Sequence, residues 1–152
     1  MYFRVLSLLT LGVCSYTDIK CRRIYKKILI LYGLLILDGK IYEIFAQLLT
    51  DNHDEVLLKL FGGIVLGMLP GLACLFLSRI SGEALGYGDS LLILICGSAL
   101  GLAECIYVLS AAFFLSGIAA LLLFFFKRKS RKYEIPFVPF LFLGVLLLTA
   151  AG

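Results

Sequence analysis

Two aspartates occupy positions from which carboxylates could act together. Asp18 closes an apolar run at residues 2–17, and Asp89 opens another at residues 90–103. Asp89 ends the stretch Glu83-Ala-Leu-Gly-Tyr-Gly-Asp89, in which Gly86 and Gly88 permit a tight turn immediately before it. A pair of such carboxyls can hydrolyse a peptide: the ionised member draws a proton from water, and the protonated member polarises the scissile carbonyl. Sharing one proton raises one pKa by like-charge repulsion, and partial desolvation at a membrane boundary raises it further. Each residue also has a plainer reading. Asp89 can serve as the N-cap of the helix that follows it, and Asp18 can be an interfacial group neutralised by Lys20 and Arg22.

The elements that must position these residues follow from composition. The 152 residues are 62% hydrophobic and 16% charged, with a mean hydropathy of +1.06, which describes an integral membrane protein. Apolar runs fall at residues 2–17, 28–49, 56–78, 90–103, 105–126 and 135–151. They predict an all-α, polytopic fold with about six transmembrane helices, forming a single membrane domain over residues 1–152. The second run is interrupted by Asp38, Lys40 and Glu43, so its outer half is expected to rise out of the bilayer. Glu104 marks a tight hairpin between the fourth and fifth runs. Gly63, Gly67 and Gly71 recur every fourth residue, and Gly97 and Gly101 repeat the spacing, as helices do where their backbones approach closely.

Charge sets the orientation. The segments Lys20-Cys-Arg-Arg-Ile-Tyr-Lys-Lys27 and Lys127-Arg-Lys-Ser-Arg-Lys132 hold five basic residues each, and Arg79 falls on the same side. The positive-inside rule makes that side cytoplasmic. The acidic loop with Asp51, Asp54 and Glu55 then lies outside, together with the N-terminus. Asp18 reaches the cytoplasmic boundary as the first helix arrives, and Asp89 leaves it as the fourth begins, so the two share one depth.

Several classes of chemistry fall away. No two of Cys14, Cys21, Cys74, Cys96 and Cys105 show Cys-x-x-Cys spacing, which argues against a zinc site and a disulfide framework. His53, the single histidine, reads as a polar loop residue among Asp51, Asn52 and Asp54. The net charge of +4 reflects the basic loops beside apolar runs, not a nucleic-acid surface. Residues 1–14 resemble a lipoprotein signal, but Val13 is too bulky for its cleavage site, so this segment is expected to be a retained first span.

Glu83-Ala-Leu-Gly-Tyr-Gly-Asp89 resembles the Gly-x-Gly-Asp signature of the type IV prepilin peptidase family of intramembrane aspartyl proteases. Asp18-Ile-Lys-Cys-Arg-Arg-Ile24 is similar to its first motif, and Ile135-Pro-Phe-Val-Pro-Phe-Leu-Phe-Leu-Gly144 to its last-helix motif. The resemblance implies that Asp18 and Asp89 are the catalytic pair, that Gly86 and Gly88 let Asp89 face its partner, and that Pro136 and Pro139 shape the last helix near the site. It departs at Tyr25-Lys26, where the family has Pro-Asn, and at Leu91, where a lysine is common. What the family implies is a bacterial inner-membrane endopeptidase that needs no metal or other cofactor. It would cleave type IV prepilins or pseudopilins at the cytoplasmic boundary, after a basic leader ending in glycine. The amino-terminal Cys-x-x-Cys region of larger members is not seen, so cleavage without N-methylation is expected. Two other functions use similar residues: an ion- or proton-translocating protein, whose acids would be spread through the bilayer depth, and a non-catalytic scaffold of a pilus or secretion assembly.

Overall fold

Hydrocarbon offers backbone N–H and C=O groups no partners, so an apolar chain must satisfy them within its own helices. A computed structural model of the chain describes residues 2–21, 26–48, 53–80, 86–127 and 136–151. They form α1 (Tyr2–Cys21), α2 (Lys26–Leu48), α3 (His53–Ile80), α4 (Tyr87–Leu100), α5 (Leu102–Lys127) and α6 (Val138–Ala151), with no strand among the described residues. The hydroxyls follow the same rule: Ser98, Ser110, Ser116 and Thr149 each donate to a carbonyl three residues back on their own helix.

The fold class is all-α as expected, and the six helices fall on the six apolar runs. Two of them, over Phe61–Ile80 and Leu102–Leu123, are long and apolar enough to cross a membrane by length and composition. The helices α4 and α6 have 14 residues each, or about 21 Å, against a hydrocarbon core of about 30 Å. The sequence predicts six spans, but only these two meet that test. Large apolar side chains such as Phe76, Phe114 and Phe125 stand exposed on the outside of the bundle, a surface suited to lipid and not to water.

The helix α2 does not break at its polar positions. It runs through Asp38, Lys40 and Glu43 to Leu48; Lys40 pairs with Glu43 at 2.9 Å one turn on and lies 4.3 Å over the Phe3 ring of α1. His53, read from sequence as a loop residue, is the first residue of α3.

The short helix α4 is the hub and touches α1, α2, α3 and α5. It runs antiparallel to α3 in close backbone contact: a Cβ at Gly67 would collide with the Gly97 carbonyl, one at Gly97 with the Gly67 carbonyl, and one at Gly71 with Leu94. Gly63, predicted on the same face, has open space beside it. The hairpin anticipated at Glu104 is made by Gly101, whose φ of 86° reverses the chain between α4 and α5 in one residue. On the other side α6 packs against both α1 and α5.

Candidate active site

The inward face of α1 carries Ser7, Leu11, Cys14, Ser15 and Asp18, all buried and spaced at helical period. Asp18 therefore follows the core stripe into the last turn of the helix, beyond the apolar run, and remains only 8% exposed. One of its carboxylate oxygens, Oδ2, is buried without a hydrogen-bond partner. The backbone N–H of Val138, the first residue of α6, acts on this carboxyl in the opposite sense to burial. Burial pushes its pKa above the ordinary carboxylate value, and the Val138 N–H draws it back down.

Asp89 sits three residues after the N-cap of α4. The cap is Gly86, and no side chain caps this helix end. The helical bonds begin with the Ser90 N–H to the Gly86 carbonyl at 3.1 Å. The N-cap reading of Asp89 is thus corrected: the residue lies in the first turn, where the helix dipole favours a carboxylate but does not require one. Burial, then the charge of Asp18, pushes Asp89 up to about 6. Two residues far apart in sequence are close enough to feel each other's charge.

The second plain reading names Lys20 and Arg22, of which the structure describes Lys20. Lys20 is exposed, with its ammonium 5.9 Å from the Tyr16 ring, and among the described residues neither aspartate forms an ion pair. Arg22 lies outside the described residues, as do Glu83, Ala84, Leu85, Tyr25, Ile135 and the basic residues of the loops at 22–25 and 128–135.

Gly86 has φ −56° and ψ 128°, a conformation open to any residue. Its glycine character matters for space, because an added Cβ would lie 3.0 Å from Asp89 Oδ2. Gly88 is the second residue of α4 and is half-buried. Pro136 precedes α6, and Pro139 is the second residue of that helix, where a missing N–H costs nothing. The entry to α6 is fixed by Phe137, whose carbonyl accepts from Phe140 and Leu141 and whose ring packs on Phe113 with centroids 5.2 Å apart.

Val138 is the site residue that sequence reading missed. Its contribution is a backbone donor and leaves no trace in residue type, although the flanking prolines carry a faint signal. Lacking N–H groups themselves, Pro136 and Pro139 leave Phe137 and Val138 as the only backbone donors between them.

At the opposite end of the bundle a cleft of about 460 Å³ is lined by Arg4, Lys40, Glu43, Glu104 and Thr149 among others. There Arg4 Nη2 meets Glu104 Oε1 at 2.6 Å. Among the described residues Glu43 and Glu104 thus lie at one end, and Asp18 and Asp89 share the other. Among the described residues no three His, Cys, Asp or Glu side chains converge as a metal site would require.

Fold and site together define a helical membrane protein with a recessed pair of carboxyls at one end of its bundle. The chain belongs to the type IV leader peptidase family, which matches residues 5–124, a stretch that includes both aspartates and ends before α6. The family makes it a leader peptidase in the general sense. No curated protein and no solved structure matches the chain.

Proposed function

We propose that the protein is an aspartyl endopeptidase that removes the leader of type IV prepilin-like proteins at the cytoplasmic boundary of the bacterial inner membrane, with Asp18 and Asp89 as its catalytic pair. The observation that carries this reading is the placement of both carboxyls in recessed positions at one end of the bundle, near enough that burial and the charge of Asp18 push Asp89 up to about 6, so the pair holds one proton below that pH. One carboxylate takes a proton from water while the other donates to the substrate carbonyl oxygen, giving a tetrahedral diol. Collapse of the diol breaks the C–N bond, a carboxyl proton passes to the leaving nitrogen, and the pair returns to its one-proton state.

The basic residues beside the site favour the cytoplasmic orientation, with the N-terminus outside. They face anionic headgroups more readily than the basic leader of a substrate, which they would repel. A grouping of both acids at one end fits hydrolysis at a boundary better than ion passage, which needs acids through the depth of the bilayer.

The test is cleavage of prepilins by purified protein in detergent. Wild type should release the leader, and Asp18→Asn and Asp89→Asn should each slow release by about 10²–10⁴-fold. Undiminished cleavage by either variant would overturn the aspartyl mechanism. Absence of cleavage by wild type on several prepilins would favour the scaffold.

A further inference from the structure

The cleft at the end of the bundle away from Asp18 and Asp89 takes no part in the proposed chemistry. Five helices reach it: Arg4 comes from the first turn of α1, Lys40 and Glu43 from the second half of α2, Leu100 from the end of α4, Glu104 from the first turn of α5 and Thr149 from the last turn of α6. Two cations and two carboxylates thus line about 460 Å³, and their charges cancel. Each is paired, Arg4 with Glu104 and Lys40 with Glu43, and all four side chains stay partly exposed. Pairing uses only part of their capacity. The fork to Glu104 engages Nε and Nη2 of a guanidinium that has five donors, and Glu43 takes one of three donors of the Lys40 ammonium. Charges of both signs around one space suit a ligand that carries both.

The surroundings point to lipid. Tyr2, Tyr42 and Tyr107, each within three residues of a charged cleft residue, are exposed, as aromatic side chains are at the headgroup level of a bilayer. From Val5, which lines the cleft, an apolar stripe of Val5, Leu9 and Val13 runs exposed along α1, one residue per turn. Such a stripe can carry an acyl chain and offers nothing to a small soluble ion.

We propose that this cleft holds the headgroup of an aminophospholipid, with its phosphate on Arg4 and Lys40, its primary ammonium on Glu43, and an acyl chain along Val5, Leu9 and Val13. Glu43 takes the ammonium because both oxygens of Glu104 are engaged by the fork. A quaternary ammonium has no N–H to give a carboxylate, and an anionic headgroup gains little from a cleft whose charges sum to zero. In the proposed orientation the lipid belongs to the outer leaflet. The site is separate from the aspartyl reading.

Native mass spectrometry of the purified protein in detergent, titrated with short-chain phosphatidylethanolamine, phosphatidylcholine and phosphatidylglycerol, tests the proposal. The ethanolamine lipid should fill one site per chain at about tenfold lower concentration than the other two, the worth of a charge-assisted hydrogen bond. Lys40→Gln with Glu43→Gln removes both charges of a pair and orphans neither, and should abolish the preference. Arg4→Gln with Glu104→Gln serves if that variant does not fold, and should weaken the ethanolamine lipid about tenfold. Equal affinity of wild type for the three lipids would mean boundary lipid only, and a preference that survives the Lys40 and Glu43 substitutions would place the site elsewhere; either result overturns the proposal. Soluble phosphoethanolamine and inorganic phosphate separate the sources, and neither should displace the bound lipid at about ten times its concentration. Displacement by phosphoethanolamine as effective as by the lipid itself would overturn the lipid in favour of a small phosphate ester. Binding needs no turnover, so a wild type that cleaves nothing would sink the proposed function and leave this result to stand on its own.

Discussion

Arg4 and Glu104 join the first turn of α1 to the first turn of α5 by a forked ion pair, with Nη2 at 2.6 Å from Oε1 and Nε at 3.2 Å from both carboxylate oxygens. Each side chain is 29% exposed. Since α6 packs against both helices, the pair ties together the two elements that flank it, at the end of the bundle away from Asp18 and Asp89. Removing one partner leaves the other charge unpaired at a membrane surface, whereas removing both does not. Arg4→Met alone should therefore lower the melting temperature in detergent more than Arg4→Met with Glu104→Gln. Prepilin cleavage by either variant, assayed well below its melting temperature, should persist. Equal melting temperatures for the single and double variants would show that the fork contributes nothing.

A carboxyl pushed up to about 6 in the folded protein, against about 3.9 when unfolded, binds its proton more tightly in the native state. Its contribution to stability is fully present below the unfolded value and is lost as pH rises through about 6. Above that, the folded protein carries an anion that burial and Asp18 both oppose. Asp89→Asn should accordingly match wild type near pH 4 and exceed it near pH 8, by on the order of 1–2 kcal/mol after solvent screening at the half-buried carboxylate. Denaturation in detergent across this range is the measurement. A variant less stable than wild type at pH 8 would mean that the ionised carboxylate is satisfied in the fold.

Gly86 separates backbone freedom from space. Its φ of −56° and ψ of 128° suit alanine, so Gly86→Ala should leave the melting temperature unchanged or slightly higher, since it also restricts the unfolded chain. The new methyl would stand 3.0 Å from Asp89 Oδ2 and push the carboxylate aside by a few tenths of an ångström. Cleavage should fall about tenfold with folding intact, because small misplacements of a reacting group are costly. Wild-type cleavage by Gly86→Ala would show that Asp89 moves aside without loss.

What the sequence revealed and what it hid divide along physical lines. The alternation of apolar runs with basic loops brought Asp18 and Asp89 to one end before any coordinates, because helix direction and charge asymmetry depend on composition over many residues. Glu104 as a hairpin marker was legible too, since a lone acid between two apolar runs has few other places to be. The Val138 donor was not, because a backbone N–H looks the same at every residue and only the packing of α6 on α1 selects this one. Lys40 lying over the Phe3 ring is a contact between helices that no local pattern encodes. For Gly86 the sequence suggested a tight turn, whereas its torsion angles are open to any residue and an added Cβ would instead meet the Asp89 carboxylate.

The glycine spacing in α3 allows the same distinction to be drawn within one helix. Gly63, Gly67 and Gly71 share a sequence period, yet only the last two lie against α4, where added Cβ atoms would meet the Gly97 carbonyl and Leu94, and Gly63 faces open space. Backbone cannot yield as a side-chain tip does, so the helices would have to separate. Gly67→Ala and Gly97→Ala should each destabilise the protein by about 1–3 kcal/mol. Both should also lower cleavage, since α4 carries Asp89 and α3 is the helix it packs against most closely. Gly63→Ala should be neutral or stabilising by up to about 1 kcal/mol, as alanine is the better helix former. Comparing the three in one detergent by chemical denaturation checks the ordering. If Gly63→Ala were as damaging as Gly67→Ala, the periodic stripe as a whole, and not its two α4-facing members, would be the packing surface.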